Sequence, residues 1–243
     1  MTLKLSSFVF SLFLLVGVAK AQPEGYEAYA RLLDRYVHED GVAYAEWHAS
    51  PSDVRALDEV LEAFGRTDVA ALSEDAQMAF YINLYNAAML QAVMDAYPVS
   101  SVTDIKPDFG VFKRQFIELQ GRSLSLDQVE KGILLERWDE PRIHFAVNCA
   151  SESCPPLRGE PFTAAELDTQ LQEQTVAFAN SQRAVTADSK AKTLRFNAIF
   201  SWYADDFPGE KPTAYVNRFR ENKLSRKWKV EYKDYDWSLN AAN

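Results

Sequence analysis

Apolar residues recur at helical spacing through the first half of the chain. Tyr29, Leu32, Leu33 and Tyr36 share one face of a helix predicted over Tyr26–His38, which Glu39-Asp40-Gly41 ends. Val54, Leu57, Val60, Leu61 and Phe64 do the same over Ser52–Phe64. A third helix is predicted over Ser73–Tyr97, stopped by Pro98. Its middle, AFYINLYNAAML, is apolar nearly all round, the pattern of a helix buried on every side.

The second half changes period. Phe116 to Gln120 and Ser123 to Leu126 read as two short strands joined by a turn at Gly121-Arg122. Ser125-x-x-Gln128 resembles a capping box and starts a helix through Val129-Glu130-Lys131-Gly132-Ile133-Leu134. Arg142–Val147 alternates like a strand, Thr163–Phe178 is amphipathic, and Thr193–Phe196 and Val230–Leu239 read as strands. Helices in front and strands behind predict an α+β fold, its helical first half packed on a small antiparallel sheet in a single domain. A basic stretch from Arg218 to Lys229 reads as the solvated face of a terminal helix, and Trp202, Tyr235 and Trp237 as packing between elements.

The N-terminus adds a compartment. Lys4 precedes the apolar run Phe8 to Val18, and Ala19-Lys20-Ala21 fits a signal-peptidase site. The expectation is a signal peptide over 1–21, cleaved between Ala21 and Gln22, and an exported domain over 22–243, periplasmic or secreted. The run falls short of the roughly 20 apolar residues a spanning helix needs, and no later stretch qualifies. Residues 1–21 hold two Lys and no acid, so their removal takes the formal charge from −9 to −11. Such a charge repels nucleic acid and anionic membrane. The expected partner is a small molecule or an envelope component.

Several blocks, AFYINLYNA, LSLDQVEKGILL, PRIHFAVNCASESCPPL, FSWYADDF and YDWSLN, resemble in order those of the family called domain of unknown function 547. The resemblance runs from about Gly25 to Asn240 and implies a single domain. It implies no activity, because the family's own is not established.

The candidate chemistry therefore comes from the residues. Asn83 and Asn86 lie three apart on the most apolar helix, so they share a face. Buried amides must find partners: either neighbouring backbone or a ligand. Glu130 falls within the apolar stripe of its helix, where it needs an arginine such as Arg142, or serves to orient a histidine. Strand alternation would put His144 and Asn148 on one face, leading into Cys149-Ala150-Ser151-Glu152-Ser153-Cys154-Pro155-Pro156.

In an exported protein Cys149 and Cys154 fit a disulfide. As free thiols, either could be a nucleophile activated by His144 with Glu130 or an amide behind it. The spacing His144-x₄-Cys149-x₄-Cys154 falls short of the ligands zinc requires. No dinucleotide, phosphate-loop or zinc-protease pattern occurs, so neither cofactor nor metal is expected. Two functions remain open. One is a binding module with a polar pocket around His144 and the Cys149-Cys154 loop, in which Asn83, Asn86 and Asn148 contact the ligand. The other is a hydrolase or transferase of amides or esters that uses Glu130, His144 and Cys149 or Cys154.

Overall fold

The computed structural model describes residues 22–209 and 211–242; the leader expected over 1–21 lies outside them. Four helices, α1 (Tyr26–Tyr36), α2 (Tyr44–His48), α3 (Pro51–Arg66) and α4 (Glu74–Ala96), build the first half. Glu74 and Asp75 in the first turn of α4 complement its N-terminal dipole. The helix is buried on nearly every face from Met78 to Met94, as its all-round apolar sequence predicts. It forms the axis of the larger of two hydrophobic clusters.

The hairpin pairs β1 (Ile117–Leu119) with β2 (Arg122–Leu124), Leu119 opposite Arg122. The turn is therefore Gln120-Gly121, one residue earlier than the sequence suggests. Both turn residues have positive φ, 50° and 74°, which matches the right-handed twist of a two-residue hairpin. The capping box forms: Gln128 N donates to Ser125 Oγ at 3.1 Å and Ser125 N to Gln128 Oε1 at 2.9 Å. The helix it opens, Leu126–Val129, widens into a π turn over Glu130–Leu134 before ending at Leu135–Arg137.

A second cluster gathers Phe145, Phe178, Phe196, Phe200, Phe207 and Tyr215 around a three-stranded sheet. In it β3 (Val185–Asp188) runs antiparallel to β4 (Thr193–Phe196), and β4 runs parallel to β5 (Lys229–Tyr232). The fold is α+β as expected, but this sheet is mixed. The predicted amphipathic helix occupies Leu167–Asn180. The basic stretch is not a helix: turns follow the short helix Pro212–Val216, and Arg220 and Lys223 donate to the Ala179 and Asn217 carbonyls.

Residues 142–147 do not form a strand. Ile143–Ala146 is a short helical segment entered through Pro141, with Val147 N bonded to Ile143 O at 3.1 Å. Alternation misleads here because the segment lies between the two cores and is buried on both sides. Successive helical residues diverge by about 100°, so Ile143 enters the first cluster and Phe145 the second.

The C-terminal segment ties the halves together after β5 ends at Tyr232. Glu152 N donates to Ser238 O, Asn240 N to Ala150 O, and Val42 N to Asn240 O. Gly41 lets this tail pass closely: a Cβ there would stand 2.5 Å from the Asn240 carbonyl oxygen.

Candidate functional site

A cavity of about 560 Å³ opens between the first-half core, the π turn and the tail. Its wall combines aromatic rings with Glu130, His144, Cys149 and Cys154, so the four candidate catalytic residues line one concavity. Trp202, Tyr235 and Trp237 form a ring cluster there, with centroids 4.4–6.0 Å apart. Trp202 packs between elements as expected, and at 52% exposure it also forms part of the cavity rim.

His144 occupies the helical position between the residues that enter the two cores. Its ring lies 4.2 Å from that of Tyr203 and 5.3 Å from that of Phe207. Its hydrogen bond is to neither Glu130, an Asn nor a Cys sulfur: Nε2 lies 2.7 Å from Asp206 Oδ2. A carboxylate only accepts, so Nε2 carries the proton and Nδ1 keeps its lone pair. Burial lowers the His144 pKa, and the opposing pull of Asp206 and Glu130 does not restore it. The imidazole is therefore neutral at pH 7. His144 also borders a smaller cleft beside Glu136, Glu140 and Asp206.

Glu130 sits on the π turn, a local widening that often marks functional positions. Its expected arginine is elsewhere: Arg142 is held by Glu140, at 2.6 and 2.9 Å, and by Asp168 at 2.9 Å. Glu130 accepts instead from the Tyr203 hydroxyl at 2.7 Å, with the Tyr85 phenol also on the cavity wall. Burial and the carboxylate beside them push both phenols up, so they remain protonated donors.

Cys149 and Cys154 are free thiols. Cys149 N donates to Cys154 Sγ at 2.9 Å, and the Ser151 and Tyr235 hydroxyls lie 3.1 and 3.3 Å from Cys149 Sγ. Burial pushes the Cys149 thiol up, but donation from Cys154, Ser151 and Tyr235 outweighs it and brings the pKa down to about 7. Cys154, buried and beside that charge, is pushed well up. Ala150, directly after Cys149, is held at φ 61° by its N–H to Asn148 Oδ1, at 2.9 Å, and by Asn240 on its carbonyl. A buried alanine in the left-handed region is strained, and the surrounding bonds impose it.

The three asparagines expected to contact a ligand serve the backbone instead. Asn83 brackets Phe162, donating to its carbonyl at 2.7 Å and accepting from its N–H at 2.9 Å. Asn86 donates to Ala146 O and accepts from Asn148 N, which fixes both ends of the segment that carries His144. Asn148 donates to Pro155 O at 2.7 Å and so closes the cysteine loop. None of the three lines the cavity.

The residues that sequence reasoning missed are Asp206, Tyr203, Tyr85 and Tyr235. Asp206 lies in a turn of two adjacent acids that reads as solvated surface, and both acids are exposed, yet Asp206 reaches inward to His144. Among the described residues, no group of three or more His, Cys, Asp or Glu is arranged to hold a metal ion.

Neither a curated protein nor a solved structure significantly matches the chain. Residues 69–179 match the model of the family described as protein of unknown function, DUF547. The match takes in α4, Glu130, His144 and both cysteines, and leaves out Tyr203, Asp206 and Tyr235. The similarity to the DUF547 family thus covers residues 69–179, which supply the imidazole and both thiols of the cavity.

Proposed function

We propose that the chain is an exported binding domain, released by cleavage between Ala21 and Gln22, whose cavity takes a small organic molecule or envelope component. The observation that carries this reading is the cavity itself. Its volume of about 560 Å³ suits a small ligand, and aromatic walls with a few polar groups are the usual composition of such sites. The ring cluster of Trp202, Tyr235 and Trp237 supplies a flat apolar surface, and Glu130, His144 and Cys149 supply polar contacts. A screen of small molecules by protein-observed NMR tests it. Shifts should cluster on the cavity residues, and Trp202→Ala should weaken the binders found without altering the fold. Shifts scattered over the surface would overturn the proposal. N-terminal sequencing of the exported protein should begin at Gln22; a retained Met1 would refute export by cleavage.

A second reading is a thiol-dependent hydrolase or transferase of esters or amides. What favours it is a free, partly exposed Cys149 held near neutral pKa in the same cavity as a neutral imidazole. Here Cys149 is the nucleophile, His144 the base and Asp206 the group that orients it. Turnover of an activated ester that is lost in both Cys149→Ala and His144→Ala, with binding retained, would support this reading. Binding without turnover would leave the domain a binding module.

A further inference from the structure

The two cysteines differ in a way that neither ligand binding nor acyl transfer requires. Cys149 is partly exposed on the cavity wall, whereas Cys154 is 4% exposed behind it. They are in direct contact: the Cys149 N–H donates to Cys154 Sγ at 2.9 Å. Acyl transfer uses one sulfur only, and a purely structural pair needs no access to a cavity.

We propose that Cys149 and Cys154 form an exchanging dithiol that reduces small organic disulfides entering the cavity, with Cys149 the attacking sulfur and Cys154 the resolving one.

The electrostatics fit these roles. The thiolate form is the nucleophile, and Cys149 is the thiol that Ser151 and Tyr235 stabilise in that form. Cys154 keeps its proton until the first exchange has discharged its neighbour. In the first step the Cys149 thiolate attacks one sulfur of R–S–S–R. The S–S bond breaks, RS⁻ departs and takes up a proton, and Cys149–S–S–R remains. In the second, Cys154 releases its proton and its sulfur attacks Cys149 Sγ. The second RS⁻ leaves and is protonated. The small disulfide is reduced to two thiols, and the protein is oxidised by two electrons to the Cys149–Cys154 disulfide.

The loop is built to bring the sulfurs together without disturbing its flanks. Asn148 holds Pro155 O and Ala150 N, Cys154 N bonds Ser151 O, and Ser153 is tied to Asp236 from both its N–H and its hydroxyl. The cavity volume of about 560 Å³ suits a small organic disulfide.

The test is stoichiometric. The chain is reduced with dithiothreitol, freed of it, and treated with the aromatic disulfide 5,5′-dithiobis(2-nitrobenzoate). The wild type should release two thionitrobenzoates per chain and retain none, with one internal cross-link joining Cys149 and Cys154 by peptide mass mapping. Cys154→Ser should release one and keep one, bound to Cys149. Cys149→Ser should react at least about tenfold more slowly, because its remaining thiol is buried and protonated. Two retained adducts on the wild type, or equal rates in Cys149→Ser, would overturn the proposal. The wild-type result decides the question even if a variant fails to fold. It is also independent of ligand binding and of ester turnover.

Discussion

Asp206 Oδ2 accepts a hydrogen bond from His144 Nε2 at 2.7 Å, joining residues 62 positions apart. The His144 side chain is 2% exposed and that of Asp206 42%, so the pair runs from the interior to solvent. Asp206 raises the imidazole pKa, partly offsetting burial. Asp206→Asn should therefore lower the His144 pKa further, visible in an NMR titration of its ring. Solvent screening of the exposed acid limits the stability loss to about 1 kcal/mol or less. An unchanged titration would mean that the two groups are not coupled.

Cys149 should react with iodoacetamide at a rate that climbs with pH and reaches half its maximum near pH 7, because only the thiolate attacks. Tyr235→Phe removes one donor and should move that midpoint up toward the ordinary value of 9.0. A midpoint that stays in place in the variant would show that the Tyr235 hydroxyl does not stabilise the thiolate.

Asn83→Ala and Asn86→Ala should each cost about 2–4 kcal/mol, because each side chain satisfies two buried backbone groups. Urea denaturation measures this directly. Asn86→Ala should also speed hydrogen exchange at the Asn148 amide. A loss of only a few tenths would mean that water replaces the amide at no cost.

His144 makes stability depend on pH below its ordinary pKa of 6.5. The unfolded chain binds a proton there, whereas the folded chain binds it only at lower pH. Lowering pH through that window therefore favours the unfolded state, and stability falls. His144→Asn should flatten the slope just below pH 6.5 in denaturation series. An unaltered slope would mean that His144 does not cause it.

The local features were legible in the sequence because they depend on neighbours a few positions away. The all-round apolar run specifies α4, Ser125 and Gln128 specify their capping box, and the hairpin follows from its apolar alternation and Gly121, to within one residue at the turn. Glu130, His144, Cys149 and Cys154 could be singled out because polar groups in apolar surroundings are costly and so conspicuous. Their partners could not. Asp206 and Tyr235 reach His144 and Cys149 across 62 and 86 residues, and nothing in their own surroundings distinguishes them from surface acids and packing aromatics. The Ile143–Ala146 turn has the same origin: its alternation suits a strand, and two flanking cores make it a helix. Sequence set which side chains had to be paired; the tertiary structure chose the partners, because that depends on how distant segments pack.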